Sequence, residues 1–224
     1  MASIIRLQTR SAHHTQAQTP GLKGFSDIYP TSPRDAAAIG FVLAQLRPVK
    51  GPILWIRDRM TGLETGEMYL AQRISGGMVQ CALKHPVSVL QAMEDGLGSS
   101  GIGAVVGELW GDPRELDFTA TKRLAMRTEA RGIPCILLRH NAHPNLSAAR
   151  NRLRISSLPS AINTLDPPAP GDPRWRVELF RSRTQAPGAW VVRHDRAQDR
   201  LDFTPVLTDG AVGEDSGARG HASS

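Results

Sequence analysis

Five short apolar runs recur along the first 140 residues: "FSDIY" (25–29), "ILWIR" (53–57), "MVQCAL" (78–83), "IGAVVGEL" (102–109) and "IPCILLR" (133–139). Turn residues bound each run, and stretches with helical spacing separate them. A strand buried on both faces reads as a continuous apolar segment, and alternation of such strands with helices is the signature of parallel pairing through crossover helices. The chain is therefore expected to fold as a doubly wound, mostly parallel α/β sheet.

The first helix is expected in "SPRDAAAIGFVLAQL", with Ser32 as its N-cap and Pro33 at its first position. A weaker helix is read in "LETGEMYLAQR" (63–73). In "HPVSVLQAMEDGLGSSG", Val87, Leu90, Met93 and Leu97 recur at helical spacing before glycines end the helix. Gly132 ends a further helix in "DPRELDFTATKRLAMRTEARG".

Past residue 140 the rhythm changes. "ARNRLRIS" alternates, which predicts a strand with Arg150, Arg152 and Arg154 on a basic outer face and Asn151, Leu153 and Ile155 on the other. "DPRWRVELFRSR" places Trp175, Val177 and Leu179 inward, with Arg174, Arg176 and Glu178 outward. "GAWVVRHD" and "RLDFTPV" complete an antiparallel extension that begins at about residue 148, and "LDPPAPGDP" is a Pro-rich loop within it. Residues 1–23 are read as a flexible leader, 24–205 as one core domain and 206–224 as a disordered tail with too few apolar residues to fold. Apolar residues make up 40% of the 224-residue chain, enough for one sizeable core. No run reaches the roughly 18 to 20 apolar residues of a membrane helix, so a soluble protein without membrane contact is expected. Cys81 and Cys135 stand singly in apolar segments and read as buried thiols rather than a disulfide or zinc framework.

Charge is concentrated. Between Arg139 and Arg200 eleven arginines face five acids, an excess of six that equals the net charge of the whole chain. Arginine forks suit phosphate recognition. Two neighbouring strands with arginines at alternate positions point to a phosphate-binding patch made of Arg150, Arg152, Arg154, Arg174, Arg176, Arg181 and Arg183. A solvated sheet face, or a surface for an acidic protein, are the alternative readings of the same residues.

The opening "YPTSPRDAAAIGFVLAQL" (29–46) has the strand–turn–helix layout of a phosphate loop without its chemistry. Such a loop needs glycines, a Lys on the terminal phosphates and a hydroxyl for Mg²⁺. Residues Pro30, Thr31, Ser32, Pro33, Arg34, Asp35 and Ala36 offer none of the glycines or the lysine, Pro33 lacks an amide donor, and Asp35 repels an anion. Glu108 and Asp112, at the end of an apolar strand, are the remaining candidates for orienting a water; Glu108 also fits a plain strand cap. His140 and His143 are expected to be solvated loop residues, since neither stands at metal-ligand spacing. On these grounds neither catalysis, a cofactor nor a metal is expected.

The opening segment together with "GAVVGELWGDPRELDFTATKRLAMRTEARGIPCILLR" (103–139), "SAARNRLRI" (147–155) and "PRWRVELFRSR" (173–183) resembles the ImuA family, RecA-like bacterial proteins associated with induced mutagenesis. The resemblance runs from about Gly24 to Phe203 and departs from the RecA core at Pro30 to Ala37 and at Gly107. It implies a RecA-like mostly parallel sheet flanked by helices, with the antiparallel extension after it. It implies further a non-catalytic adaptor of SOS-induced, error-prone translesion DNA synthesis. The partners it implies are a catalytically inactive Y-family-polymerase-like protein (ImuB), an error-prone replicative-type DNA polymerase and DNA, with self-association or contact with RecA beside them. A cytoplasmic, nucleoid-associated location follows. The alternatives are a RecA-like nucleotide-dependent ATPase with a site built from Arg34, Glu108 and Asp112, and an SOS cell-division inhibitor.

Overall fold

The computed structural model describes residues 21–68, 76–164 and 166–206. Nine strands form a single sheet. Along the chain they are β1 (Phe25–Pro30), β2 (Ile53–Asp58), β3 (Met78–Leu83), β4 (Ala104–Trp110), β5 (Cys135–His140), β6 (Asn151–Leu158), β7 (Arg174–Ser182), β8 (Gly188–Asp195) and β9 (Arg200–Pro205). The helices are α1 (Ala37–Leu46), α2 (Arg59–Thr65), α3 (Pro86–Gly98) and α4 (Phe118–Arg131). The spatial order is β3-β2-β4-β5-β1-β6-β7-β8-β9. Pairing is parallel from β3 to β6 and antiparallel from β6 to β9. This is the RecA-like parallel sheet with an antiparallel extension that the apolar runs and the resemblance lead one to expect.

Alternate residues of the central strands feed two apolar clusters. Ile28, Val106, Ile136 and Leu138 join α1 on one face; Phe25, Val105, Cys135 and Leu137 join α3 and α4 on the other. The first cluster continues into the extension through Leu153, Ile155, Trp175, Val177, Leu179 and Trp190, with Phe41 of α1 meeting Trp175 edge-on at 5.9 Å. Trp175, Val177 and Leu179 thus point inward as their alternation requires. On the opposite face of β7 and β8 none of the four helices contributes to a cluster.

Two helix boundaries differ from the sequence reading. Helix α1 starts at Ala37, not at Ser32–Pro33, and Ala36 caps it without a side-chain hydrogen bond. The cause is tertiary: Asp35 Oδ2 accepts hydrogen bonds from the backbone N and Oγ of Ser157 at 2.8 and 3.0 Å, which holds the preceding residues out of the helix. Helix α2 starts at Arg59, because buried Asp58 caps it by accepting from the Thr61 amide, and Gly66 ends it in a conformation with φ of +81°. The later part of the expected 63–73 helix lies outside the described residues. In α3, Val87 is exposed and Val89 takes its place in the core beside Leu90, Met93 and Leu97. Apart from residues 21–23 and Val206, the expected leader and tail fall outside the described residues. Among the described residues no helix is long and apolar enough to cross a membrane.

Candidate functional site

In an open parallel sheet, ligands bind beyond the carboxyl ends of the strands. Here that edge is formed by the loop after β1 and by the ends of β2, β4 and β5. Thr31 to Arg34 are exposed, and Ser32 to Arg34 line with Trp110 a cleft of about 290 Å³. Asp35 and Arg34 of this loop make contacts within the chain. Asp35 Oδ1 accepts from the Ala37 amide at 2.9 Å, at the head of α1, where a phosphate oxygen would otherwise sit. Its other oxygen binds Ser157, so the carboxylate ties β1, α1 and β6 together. Exposed Arg34 turns away to Glu64, at 2.6 Å.

The strand-end acids are committed as well. Glu108 is not a solvated cap: it is 1% exposed, accepts from Trp55 Nε1, and lies 3.0 Å from His140 Nε2. His140, expected in a solvated loop, is the last residue of β5, is 1% exposed, and stacks on Trp110. Only His143 fits the solvated reading, with its side chain largely exposed and its Nδ1 2.9 Å from Asp112. Asp112 also binds Arg139 at 2.6 Å, and the His143 side chain and amide hold its carboxyl below the ordinary value despite partial burial. Gly107 leaves no space for a further acid, because a Cβ there would stand 2.2 Å from Met93 Sδ. Arg34, Glu108 and Asp112 therefore each serve a separate internal contact. No group of three or more ligating side chains suited to a metal occurs among the described residues.

Beneath this edge lies a polar cluster that the sequence reading missed. Asp27, fully buried on β1, is 3.5 Å from Arg152 Nε on β6, an ion pair without a hydrogen bond at that nitrogen. Tyr29, two residues on, accepts from Arg152 Nη2 at 2.8 Å, and the guanidinium groups of Arg152 and Arg139 lie 5.5 and 5.7 Å from its ring centre. Burial pushes the Asp27 carboxyl above its ordinary value of 3.8, and a hydrogen bond from the Ser147 side chain, with the Arg152 and Arg139 charges, offsets that only in part.

The basic strands must be divided accordingly. Arg152 is 3% exposed and does not belong to an outer face. Its alternation with Leu153 is real, but the polar side of β6 here is covered by Tyr29 and Phe180. Two residues of β7, Phe180 and Arg181, oppose the single Arg152 at a β-bulge, which places Phe180 between Arg152 and Arg154. Arg154 is half-exposed, 4.4 Å from the Phe180 ring centre, and pairs with Glu178; Arg150 pairs with Glu129. Arg174, Arg176, Arg181 and Arg183 are left, all on β7 or just after it, and none of their side chains has an acidic partner among the described residues. Three of these four are exposed and Arg174 is half-exposed.

Comparison with known proteins gives one consistent result. The chain is 30% identical over 176 residues to Protein ImuA of Caulobacter vibrioides, in two strains, and the match covers 72% of this chain and 70% of the relative. No family model matches.

The division of the arginines is testable by urea unfolding. Arg152→Ala, which strands a buried carboxylate, is expected to cost about 3 kcal/mol, whereas Arg176→Ala is expected to stay within about 0.5 kcal/mol. The Asp27 carboxyl makes a second prediction. A carboxyl raised in the folded state contributes stability that is full below 3.8 and is lost as the pH rises through its folded value. Relative to Asp27→Asn, the natural protein should therefore lose stability as the pH is raised from below 3.8 toward neutrality, and parallel profiles for the two would contradict this.

Proposed function

The chain belongs to the ImuA family, and from that premise we propose that it is a non-catalytic adaptor of damage-induced, error-prone translesion DNA synthesis. It holds a catalytically inactive Y-family-polymerase-like protein and an error-prone replicative-type polymerase together near DNA. The observation that supports the non-catalytic part is that the candidate side chains at this edge are engaged within the chain. Asp35 occupies the α1 amide, Glu108 is buried between Trp55 and His140, and Met93 fills the space beside Gly107. A RecA-like sheet without these groups acts through its surfaces.

The DNA-facing surface in this reading is the arginine row of β7 and its end, Arg174, Arg176, Arg181 and Arg183. Cations without acidic partners are the ones that release counterions from a phosphate chain. Arg150 and Arg154 flank the row with their charges already answered, and Arg152 supports it from below. Binding at the nucleoid follows from such a row, and self-association or RecA contact would use other surfaces.

Co-expression with the polymerase-like partner tests the adaptor reading: the two proteins are expected to co-purify, and separate elution of two folded proteins would refute it. In the same preparation, titration with ATP and Mg²⁺ is expected to give no saturable heat. For the arginine row, Arg176→Glu with Arg181→Glu is expected to weaken single-stranded DNA binding. It should also flatten the dependence of log K on log salt, by about 0.7 for each phosphate that is no longer neutralised. An unchanged slope would assign these arginines to plain solvation.

A further inference from the structure

The amino ends of β1 and β6, the carboxyl end of α4 and the end of β7 surround a cavity of about 810 Å³. It lies at the edge of the sheet opposite the loop after β1, away from the edge where a nucleotide site would stand. Its lining is polar: Glu129, Thr184 and Gln185 bring acceptors and donors, and Lys23 and Arg150 bring cations. Buried Asn151 braces one wall by bonding the Gly21 carbonyl and the Ser182 hydroxyl. Lys23 is exposed and has no acidic partner among the described residues. Arg150 pairs with Glu129, but both side chains are close to half-exposed, and such a pair is weak in water and open to exchange.

The cavity is continuous with the arginine row. The register of β6 and β7 sets Arg174 opposite Leu158, Arg176 opposite Ser156 and Arg181 opposite Arg152, and residues opposite one another share a face. Arg152 in turn lies opposite Asp27, on the side of β1 where Phe25 packs with α4. The row and the cavity are therefore on the same side of the sheet. The nine residues of β7 span roughly 30 Å toward the cavity, and just past them the Arg183 amide donates to the Arg150 carbonyl at 3.0 Å. A phosphate chain laid along the row ends at the mouth of the cavity, between Arg150 and Lys23.

We infer that the cavity receives an unpaired nucleotide of a single strand whose phosphates lie along β7. The phosphate of that nucleotide meets Lys23 and Arg150, which frees Glu129 to accept from the base, while Thr184 and Gln185 bond the base edge. The volume suits such an occupant, since pockets for small ligands run from about 300 to 1,000 Å³. A base in a duplex reaches a pocket of this kind only by leaving its stack and its partner, so the site selects single strands. This inference rests on the reading of the β7 row as DNA-facing and adds to it the class of nucleic acid.

Fluorescence anisotropy of the full chain tests it, with a labelled single strand of about 16 nucleotides and the blunt duplex of the same sequence. The single strand is expected to bind about tenfold or more tighter than the duplex. A fluorescent purine that brightens on leaving the stack is expected to brighten when the strand binds. Gly21→Trp fills the cavity from a position where a Cβ meets nothing within 4 Å, and Lys23→Glu reverses an exposed cation; neither touches the row. Each is expected to lower single-strand affinity by about tenfold and to abolish the brightening. Equal affinity for strand and duplex, a strand that does not brighten, or folded variants that bind as the natural protein does, overturns the inference. Arg176→Glu with Arg181→Glu reports separately: if it alone weakens binding, the row faces DNA and the cavity takes no base. If it too changes nothing, the reading of the row falls as well.

Discussion

A carboxylate with no exposure at the middle of a sheet is costly unless cations reach it. Asp27 stands on the central strand β1, and its cations come one from each side, Arg139 on β5 and Arg152 on β6. Tyr29 packs between the same two guanidinium groups. A slip of either neighbouring strand by one residue would turn its arginine to the opposite face and leave the carboxylate alone. The cluster therefore fixes the register of β5, β1 and β6, the last parallel pairs before the antiparallel extension, and both apolar clusters are built on that register.

The same economy of polar groups governs the edge where a nucleotide would bind. A phosphate site needs amides, cations and acids with free valence. In this chain Asp35 binds α1 and β6, Arg34 binds Glu64, Asp112 binds Arg139 and His143, and Glu108 binds Trp55 and His140. Each contact ties a loop or strand end to a neighbouring element. The arginines without an acidic partner among the described residues include four on or beside β7.

Strands β2, β4 and β5 were legible because burial on both faces leaves near-continuous apolar runs, whereas β3 carries no buried residue; Gly132 marked the end of α4 correctly, with φ of +74°. That residues 30–36 carry no glycine or lysine concerns residue types alone and needs no fold. Facing in the extension was not legible. Alternation in "RNRLRI" separates polar from apolar sides but does not say that the polar side of β6 lies against Tyr29 and Phe180 at Arg152 and opens only at Arg154. The start of α1 escaped for a similar reason: Ser32 and Pro33 are good local signals, but Asp35 is held by Ser157, 122 residues away. Burial of Glu108 and His140 depends on Trp55, a strand neighbour that spacing along the chain does not reveal.

Placement within the sheet also decides how an adaptor built on it would work. Parallel strands are joined by crossovers, so β3 ends the series with its outer ladder open; antiparallel strands are joined by short turns, so β7 to β9 extend the opposite side with charged residues outward. From β3 to β7 the order runs through β2, β4, β5, β1 and β6. Six inter-strand spacings of about 4.8 Å place the two surfaces roughly 29 Å apart. One hydrogen-bonded sheet spans that distance, and the buried Asp27 cluster holds its middle strands β5, β1 and β6 in register. The arginines of β7 thus stand on a surface whose distance from the other end of the sheet is set by strand pairing alone.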